Sequence, residues 1–282
     1  MKVSRDKVKT SFSKAATSYN HAAVVQKEIL ARLLEKLKLL RQDRVDVLLD
    51  VGSGTGLASE SLREHYGDSA YFAMDFALPM LAWAKKESQV NNQYAVCGDV
   101  ELLPFQDKSL DIIFSASTFQ WCNDIGAAFQ ESCRALKDQG LFLFSTFGPD
   151  TLSELRHCFA QTDDHPHVSS FIDMQSLGDG LLASGFESPV MESEIITVEY
   201  SDPMQLLKDL QDTGATNHLE QRARGMMTRR RLNDVLNEYK KFVLPNGKYP
   251  ASYEVIYGHG WKPSIEQSNQ NSAQEWQPIQ FK

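Results

Sequence analysis

The sequence has few cysteines, and no two of them stand close together. Among its 282 residues, Cys97, Cys122, Cys133 and Cys158 form no C-x-x-C pair. This spacing suggests neither a disulfide framework nor a cysteine-rich zinc site. We therefore expect a protein of a reducing cytoplasm.

Long apolar runs are absent as well. No uninterrupted apolar stretch approaches the roughly 18 residues of a membrane span. Residues 1–20 are basic and polar and lack the apolar centre of a secretory signal. We expect a soluble protein without a membrane partner.

Positive charge is in the minority. Lysine and arginine number 29 against 37 aspartates and glutamates, which gives a net charge of −8 and a pI near 5.4. This balance disfavours a nucleic-acid partner for the chain as a whole. Apolar and charged fractions of 42% and 23% are ordinary for globular proteins, which excludes collagen, coiled coil and wholesale disorder.

Clusters of histidine, cysteine and acids with metal-ligand spacing are also missing, and we expect no metal. His165 and His167 flank Pro166 in a polar stretch. A solvated loop explains this pair better than a metal site does.

What the sequence does contain is a regular alternation of short apolar segments and amphipathic ones. Strands are predicted at 45–51, 70–75, 93–99, 109–117 and 140–147, with helices at 22–41, 79–87 and 124–136. Such alternation is typical of a parallel sheet covered by helices on both faces.

The regular alternation of strands and helices ends after residue 148. Helices are predicted at 151–161, 174–185, 203–214 and 230–242, with strands at 194–200 and 253–261. We divide the chain into an N-terminal helical cap (1–42) and an α/β domain (43–262). The domain carries a helical substrate insertion at about 201–247, and the Gln/Asn/Ser-rich tail (263–282) is predicted to be disordered.

The clearest chemical signal is the glycine loop Asp50-Val51-Gly52-Ser53-Gly54-Thr55-Gly56, at the end of the first strand. Glycines let backbone approach a ligand closely at the carboxyl edge of such a sheet. The dinucleotide fingerprint G-x-G-x-x-G is the rival, but Leu57 stands where it requires glycine. A carboxylate at Asp50 also favours a cationic ligand over a pyrophosphate. A glycine turn without a ligand is the structural alternative.

Two further acids end the next two strands. Asp75 can accept hydrogen bonds from both hydroxyls of a ribose. Asp99 can meet the amino group of an adenine, with Val100 packed on the ring. Either acid alone is more often a solvated strand end, but three acids at neighbouring strand ends point to one site.

Four segments together resemble the successive motifs of class I S-adenosylmethionine-dependent methyltransferases: residues 47–56, 73–81, 97–105 and 110–121. The resemblance implies a Rossmann-like seven-stranded sheet with a reversed last strand, and S-adenosylmethionine as co-substrate. It implies contacts from the glycine loop to the methionine moiety, from Asp75 to ribose, and from Asp99 and Val100 to adenine. The implied cofactor-binding set is Asp50, Gly52, Gly54, Gly56, Asp75, Phe76, Met80, Asp99, Val100, Ser115 and Phe119.

Segments 11–26, 146–156, 207–217 and 253–261 are similar to one subfamily, the methyltransferases of biotin synthesis that esterify malonyl-[acyl-carrier protein]. The resemblance implies a malonyl thioester on an acyl-carrier protein as acceptor. A carboxylate is already ionised at neutral pH, so it needs no general base. A quinone C-methyltransferase, a methyltransferase for another carboxylate and a non-catalytic methyltransferase-like module remain alternatives.

Arg156 and Tyr19 are the predicted positioning residues. An arginine suits a malonyl carboxylate because it pairs in a bidentate manner; a solvent-facing arginine, or one paired with Glu154, is the alternative. Tyr19 can cover a sulfonium, or it simply packs in the core. Residues 119–121 line the methyl-transfer pocket or form a buried aromatic cluster.

A basic stretch near the end of the chain is the predicted partner site. Seven cations stand against two acids between residues 221 and 241, among them Arg222 and Arg224. We expect an acidic carrier protein to dock here, chiefly on Arg229, Arg230 and Arg231. A solvated helix face is the alternative.

Overall fold

The computed structural model describes residues 3–41, 43–87, 93–162, 165–215 and 228–264. The strands in these ranges form one seven-stranded sheet. The strands are β1 (Val47–Val51), β2 (Ala70–Asp75), β3 (Gln93–Cys97), β4 (Leu110–Ser115), β5 (Leu136–Phe147), β6 (Glu187–Tyr200) and β7 (Tyr249–Trp261). Their order is β3-β2-β1-β4-β5-β7-β6, and β7 runs antiparallel to both of its neighbours. The predicted seven-stranded sheet with a reversed last strand is confirmed.

Helices connect and cover the strands. They are α1 (Arg5–Ala15), α2 (Tyr19–Ala22), α3 (Val24–Leu40), α4 (Ser59–His65), α5 (Leu78–Glu87), α6 (Ile125–Ala135), α7 (Ser153–Ala160), α8 (Met174–Ala183), α9 (Pro203–Asp212) and α10 (Arg229–Tyr239). Short polar side chains fix several helix starts: Asp124, Asp202 and Thr228 each accept a backbone hydrogen bond from the first turn.

The core lies on both faces of the sheet. Leu48 and Ile112 pack into a cluster with the apolar stripe of α3, whereas Leu49 and Ile113 pack into a cluster with α6 and α8. Successive residues of a strand point to opposite faces, so these strands are buried on both sides. Their almost continuous apolar sequence follows from that burial.

Strand ends differ from the sequence prediction mainly late in the chain. β6 starts at Glu187 rather than 194, and β7 at Tyr249 rather than 253. β6 lies at the edge of the sheet and alternates between exposed and partly buried residues, so its first half carries no apolar run. Residues 216–227 and 265–282, which include Arg222, Arg224 and most of the predicted tail, lie outside the described residues.

No helix in the described part of the chain combines the length and the apolarity that a membrane crossing requires.

Candidate active site

The glycine loop turns sharply at the carboxyl end of β1. The N–H groups of Gly52 and Ser53 both donate to the carbonyl oxygen of Met74, at 2.7 and 3.0 Å. Gly52 has a φ of +70°, and a Cβ there would lie 1.9 Å from Thr118 Oγ1. Only glycine fits this position without a shift of Thr118, and the bare backbone keeps the loop open to a ligand.

Asp75 ends β2 with a buried carboxylate that faces the loop. Oδ2 accepts a hydrogen bond from Gly54 N–H at 3.0 Å, and Oδ1 accepts one from Ala77 N–H at 2.7 Å. Each oxygen keeps a second lone pair, so the carboxylate can accept two more hydrogen bonds. Burial raises the pKa of Asp75 to about 6. The geometry fits the two hydroxyls of a ribose.

Asp50 is also buried, and it is held from behind by a tyrosine. Tyr71 Oη donates to Asp50 Oδ2 at 2.8 Å and lies 3.0 Å from Ser59 Oγ. Burial raises the pKa of Asp50 to about 7, and this effect outweighs the hydrogen bond from Tyr71. A carboxylate desolvated in this way gains most from a positively charged ligand.

Asp99 has a partner that the sequence analysis missed. Arg5 on α1 donates to Asp99 Oδ2 at 2.6 Å and also forms an ion pair with Glu101. Asp99 Oδ1 accepts from the N–H of Glu101 at 3.0 Å. The carboxylate predicted to contact adenine is therefore paired with an N-terminal arginine, and the next residue, Val100, is buried.

These residues line one cleft, which we call the cofactor cleft. It consists of three small chambers, of about 40 to 50 Å³ each, and Gly52 lines all of them. The structure brings the following predicted residues to its walls: Tyr19, Asp50, Gly52, Gly54, Asp75, Phe76, Met80, Asp99 and Val100. The cleft is narrow because α1 and α2 lie over it, with Phe12 packed edge-on against Phe76 and Trp121.

Three predicted cofactor residues lie behind this cleft. Ser115 is fully buried and donates to the carbonyl oxygen of Val51 at 2.9 Å. Phe119 is buried in an aromatic cluster with Phe129, Phe142 and Phe144. Gly56 packs near Ser59 and Ala84 with a φ of +83°. Ser115, Phe119 and Gly56 therefore support the loop and the sheet. Thr118 and Trp121 line the cofactor cleft instead of Ser115 and Phe119.

A larger cavity of about 240 Å³ adjoins the cleft, and we call it the acceptor cavity. Its walls are mostly apolar and are formed by Gln26, Trp121, Phe147, Thr151, Leu152, Leu155, Phe159, His167, Val168, Ser169, Phe171, Leu207, Leu210, Ala215 and Tyr253. Trp121 and Gln26 also line the cofactor cleft. A molecule in the cavity would therefore meet a ligand in the cleft at these two residues.

Arg156 lies on α7 behind the wall of this cavity, and the structure does not place it among the lining residues. Its Nη2 donates to the carbonyl oxygens of Thr151 and Ser169, at 3.1 and 3.4 Å, and both of these residues line the cavity. Arg156 Nε is buried without a partner among the described residues. The alternative pairing with Glu154 does not occur, because the carboxylate of Glu154 is hydrogen-bonded to Ser252.

His165 and His167 were predicted to lie in a solvated loop, and the structure differs from this prediction at His167. His167 is partly buried, stacks face to face on Phe159 with ring centres 4.0 Å apart, and lines the acceptor cavity. Burial lowers the pKa of His167. The polar residues around it in the sequence gave no sign of this packing.

A metal centre finds no support in the part of the chain that the structure describes, where no three His, Cys, Asp or Glu side chains come together in a ligand set.

Comparison with known proteins agrees with this geometry. A methyltransferase domain model matches residues 49–144. The YcgJ protein of Bacillus subtilis has the same fold, with a TM-score of 0.61 at 18% identity over 83% of this chain and 99% of its own. The fold is that of a class I methyltransferase.

Similarity to curated proteins narrows the family. The malonyl-[acyl-carrier protein] O-methyltransferase of Methylovorus sp. is 40% identical over 99% of this chain and 95% of its own length. The protein of the same name from Gallionella capsiferriformans is 40% identical, with coverage of 96% and 95%. This chain belongs to the malonyl-[acyl-carrier protein] O-methyltransferase family.

Proposed function

We propose that this protein transfers the methyl group of S-adenosylmethionine to the free carboxylate of a malonyl group on an acyl-carrier protein. The product would be the malonyl methyl ester that enters biotin synthesis. Family membership over almost the whole chain carries the proposal. The acceptor cavity next to the cofactor cleft supports it, because the two share walls at Gln26 and Trp121.

Residues of the cofactor cleft fit S-adenosylmethionine by their chemistry. Asp75 offers two unused acceptor positions for ribose hydroxyls, and Asp99 with Val100 offers an acid and an apolar wall for adenine. Asp50 offers a buried negative charge at the glycine loop, where the methionine part would lie. When bound, S-adenosylmethionine supplies an electrophilic methyl group on a positively charged sulfur.

The acceptor requires little acid–base help. A carboxyl group with an ordinary pKa near 4 is ionised at neutral pH and attacks without a proton transfer. The protein has to exclude water and hold the two reactants in line, which contributes about 7–11 kcal/mol in favourable cases. Phe12 of α1 and Tyr19 of α2 cover the cleft, and Trp121, which follows β4, packs against Phe12.

Tyr19 supports water exclusion rather than proton transfer. Its ring lies among Phe12 and the loop residues of the cleft. Burial raises the pKa of Tyr19 far above its ordinary value, and the nearby Asp75 raises it further. The phenol therefore stays neutral and presents an aromatic face, which suits a sulfonium.

Arg156 supplies the cation for the malonyl carboxylate. Its guanidinium is anchored on two carbonyls of the cavity wall, and its Nε is left without a partner. A buried donor of this kind costs free energy unless a ligand satisfies it. An anionic acceptor in the cavity would do so.

The start of α10 is the proposed carrier-docking face, formed by Arg229, Arg230 and Arg231. Arg229 and Arg230 are exposed at the N-terminal end of the helix. Cations there oppose the helix dipole, so they do not serve helix stability. The buried face of α10 packs against α7, which carries Arg156. An acidic carrier docked on these arginines would lie near the cavity.

A second candidate is methylation of a carbon or phenol acceptor such as a quinone. His167 favours it, because a neutral imidazole in the cavity wall could remove a proton. The family assignment favours the carboxylate.

A panel of carrier-linked acyl groups separates these functions. We expect label from methyl-labelled S-adenosylmethionine to transfer to malonyl-carrier and not to acetyl-carrier, which has no free carboxylate. Transfer to a quinone but not to malonyl-carrier would overturn the proposal.

A further inference from the structure

Gln26 is the described residue that lines both the loop chamber of the cofactor cleft and the acceptor cavity. The loop chamber is the one lined by Asp50, Gly52 and Gly54. The cavity is lined by Thr151 and Ser169, whose carbonyl oxygens accept hydrogen bonds from Arg156. Gln26 and Trp121 therefore mark the places where a ligand in the cleft and a ligand in the cavity can meet, and of these two only Gln26 carries an amide.

The amide of Gln26 makes no hydrogen bond with any residue that the structure describes. Its Oε1 is fully buried and accepts no hydrogen bond from a described residue, and no described residue accepts one from its Nε2, so both N–H groups are available to a ligand. Gln26 also stands on the apolar side of α3, one residue after buried Val25 and four before buried Leu30. An unsatisfied amide at such a position opposes folding, whereas an apolar side chain would not.

A primary amide has two N–H donors and one acceptor oxygen. An attacking carboxylate uses one oxygen on the methyl group and leaves the other free to accept a hydrogen bond. A neutral donor can orient that second oxygen without drawing charge away as strongly as a cation. Gln26, at the junction, is placed to be this donor, and Arg156 supplies positive charge from behind the cavity wall.

We propose that Gln26 binds the acceptor carboxylate and makes the site specific for acyl groups that end in one. The proposal rests on the proposed function, since it assumes a carboxylate acceptor in the cavity. It adds the residue that distinguishes a malonyl group from an acetyl group of otherwise similar shape.

Equilibrium binding tests the proposal without turnover. Binding of malonyl-carrier and acetyl-carrier to the protein saturated with S-adenosylhomocysteine is measured by calorimetry for wild type, Gln26→Met and Gln26→Asn. Methionine matches the length of glutamine without its polar atoms, and asparagine withdraws the amide by one methylene. We expect both variants to bind malonyl-carrier roughly 10-fold or more weakly, and to bind acetyl-carrier as wild type does.

Gln205→Met on α9 is the matched control, since Gln205 is exposed and outside both spaces. Thermal unfolding of Gln26→Met should occur at or above the wild-type temperature, because the variant removes an unpaired buried amide. The proposal is overturned if the Gln26 variants lose affinity for both carriers equally, or for neither. If the wild-type protein itself does not prefer malonyl-carrier, the carboxylate acceptor and the role of Gln26 are both wrong.

Discussion

Tyr71 Oη lies 2.8 Å from Asp50 Oδ2, and the phenol donates a hydrogen bond to a carboxylate that is buried at the glycine loop. The tyrosine comes from β2 and the aspartate from β1, so their parallel pairing fixes the contact. Even with this hydrogen bond, burial leaves the pKa of Asp50 at about 7. The loop therefore holds an acid that ionises near neutral pH.

The pH dependence of cofactor affinity follows from this acid. A cationic ligand favours the ionised forms of Asp50 and Asp75, whose pKa values are raised to about 7 and about 6. Binding should release protons, and the affinity for S-adenosylmethionine should rise with pH up to about 7 and then level off. Calorimetry from pH 5 to 8, in buffers of different ionisation enthalpy, measures both effects. A flat profile without proton release would contradict this account.

The variant Asp50→Asn should separate stability from binding. The pKa of Asp50 is raised in the folded protein, so the stability of its protonated form is present at acid pH and is lost as the pH rises from about 4 to about 7. Asparagine should therefore raise the unfolding temperature of the ligand-free protein, and more so at pH 8 than at pH 5. It should also weaken S-adenosylmethionine binding roughly 10-fold or more. If Asp50→Asn unfolds at a lower temperature than wild type at pH 8, burial does not destabilise the ionised carboxylate.

The contact between Arg5 and Asp99 predicts a change in dissociation kinetics. Arg5 ties α1 to the β3 edge of the cleft, and Asn123 adds two hydrogen bonds to the backbone of Val3. Both charged side chains are about 40% exposed, so we expect a modest effect. Arg5→Met should increase the dissociation rate of S-adenosylhomocysteine about threefold in stopped-flow experiments. Lys9→Met, which removes an exposed cation from the same helix, should have no effect; equal rates in both variants would exclude the role of Arg5.

His167→Phe distinguishes a carboxylate acceptor from one that needs a base. Phenylalanine keeps the stack on Phe159 but removes the imidazole. With saturating S-adenosylmethionine, kcat on malonyl-carrier should stay within about threefold of wild type and should not vary between pH 6 and 8. A loss of 100-fold or more would identify His167 as a general base and favour a carbon or phenol acceptor.

Charge reversal tests the carrier-docking face. Arg229→Glu with Arg230→Glu should lower kcat/KM for malonyl-carrier roughly 10-fold at low salt and weaken its salt dependence. Malonyl-coenzyme A has no protein surface and should be affected much less. The same charge change at two exposed lysines, Lys38→Glu with Lys85→Glu, is the control. Equal losses on both thioesters, or no loss on either, would place the carrier elsewhere.

The sequence predicted the fold and much of the cofactor cleft because both depend on local patterns. Asp50, Asp75 and Asp99 lie at or just beyond the carboxyl ends of three strands, and the carboxyl ends of parallel strands meet at one edge. Arg5 and Thr118 were missed because their contacts depend on how distant segments pack. Ser115 and Phe119 lie close to the wall in the chain, but their side chains point into the core.

Gln26 and His167 were also missed by prediction from the sequence, for different reasons. A polar residue within the apolar stripe of α3 was a usable signal for Gln26, since its position matches that of Leu30 and Leu33 on the helix. His167 had no such signal, because its stacking partner Phe159 comes from another element. Contacts of this kind are set by tertiary packing and leave no trace in local sequence.

The most direct test of the account is to identify the atom that receives the methyl group. The protein is incubated with methyl-labelled S-adenosylmethionine and malonyl-carrier, and the purified product is treated with mild alkali. A methyl ester predicts that the label stays on the carrier before treatment and is released as methanol afterwards. Alkali also cleaves the thioester, so label released in a non-volatile acid rather than as methanol, or label that never reaches the carrier, would contradict methylation of the malonyl carboxylate.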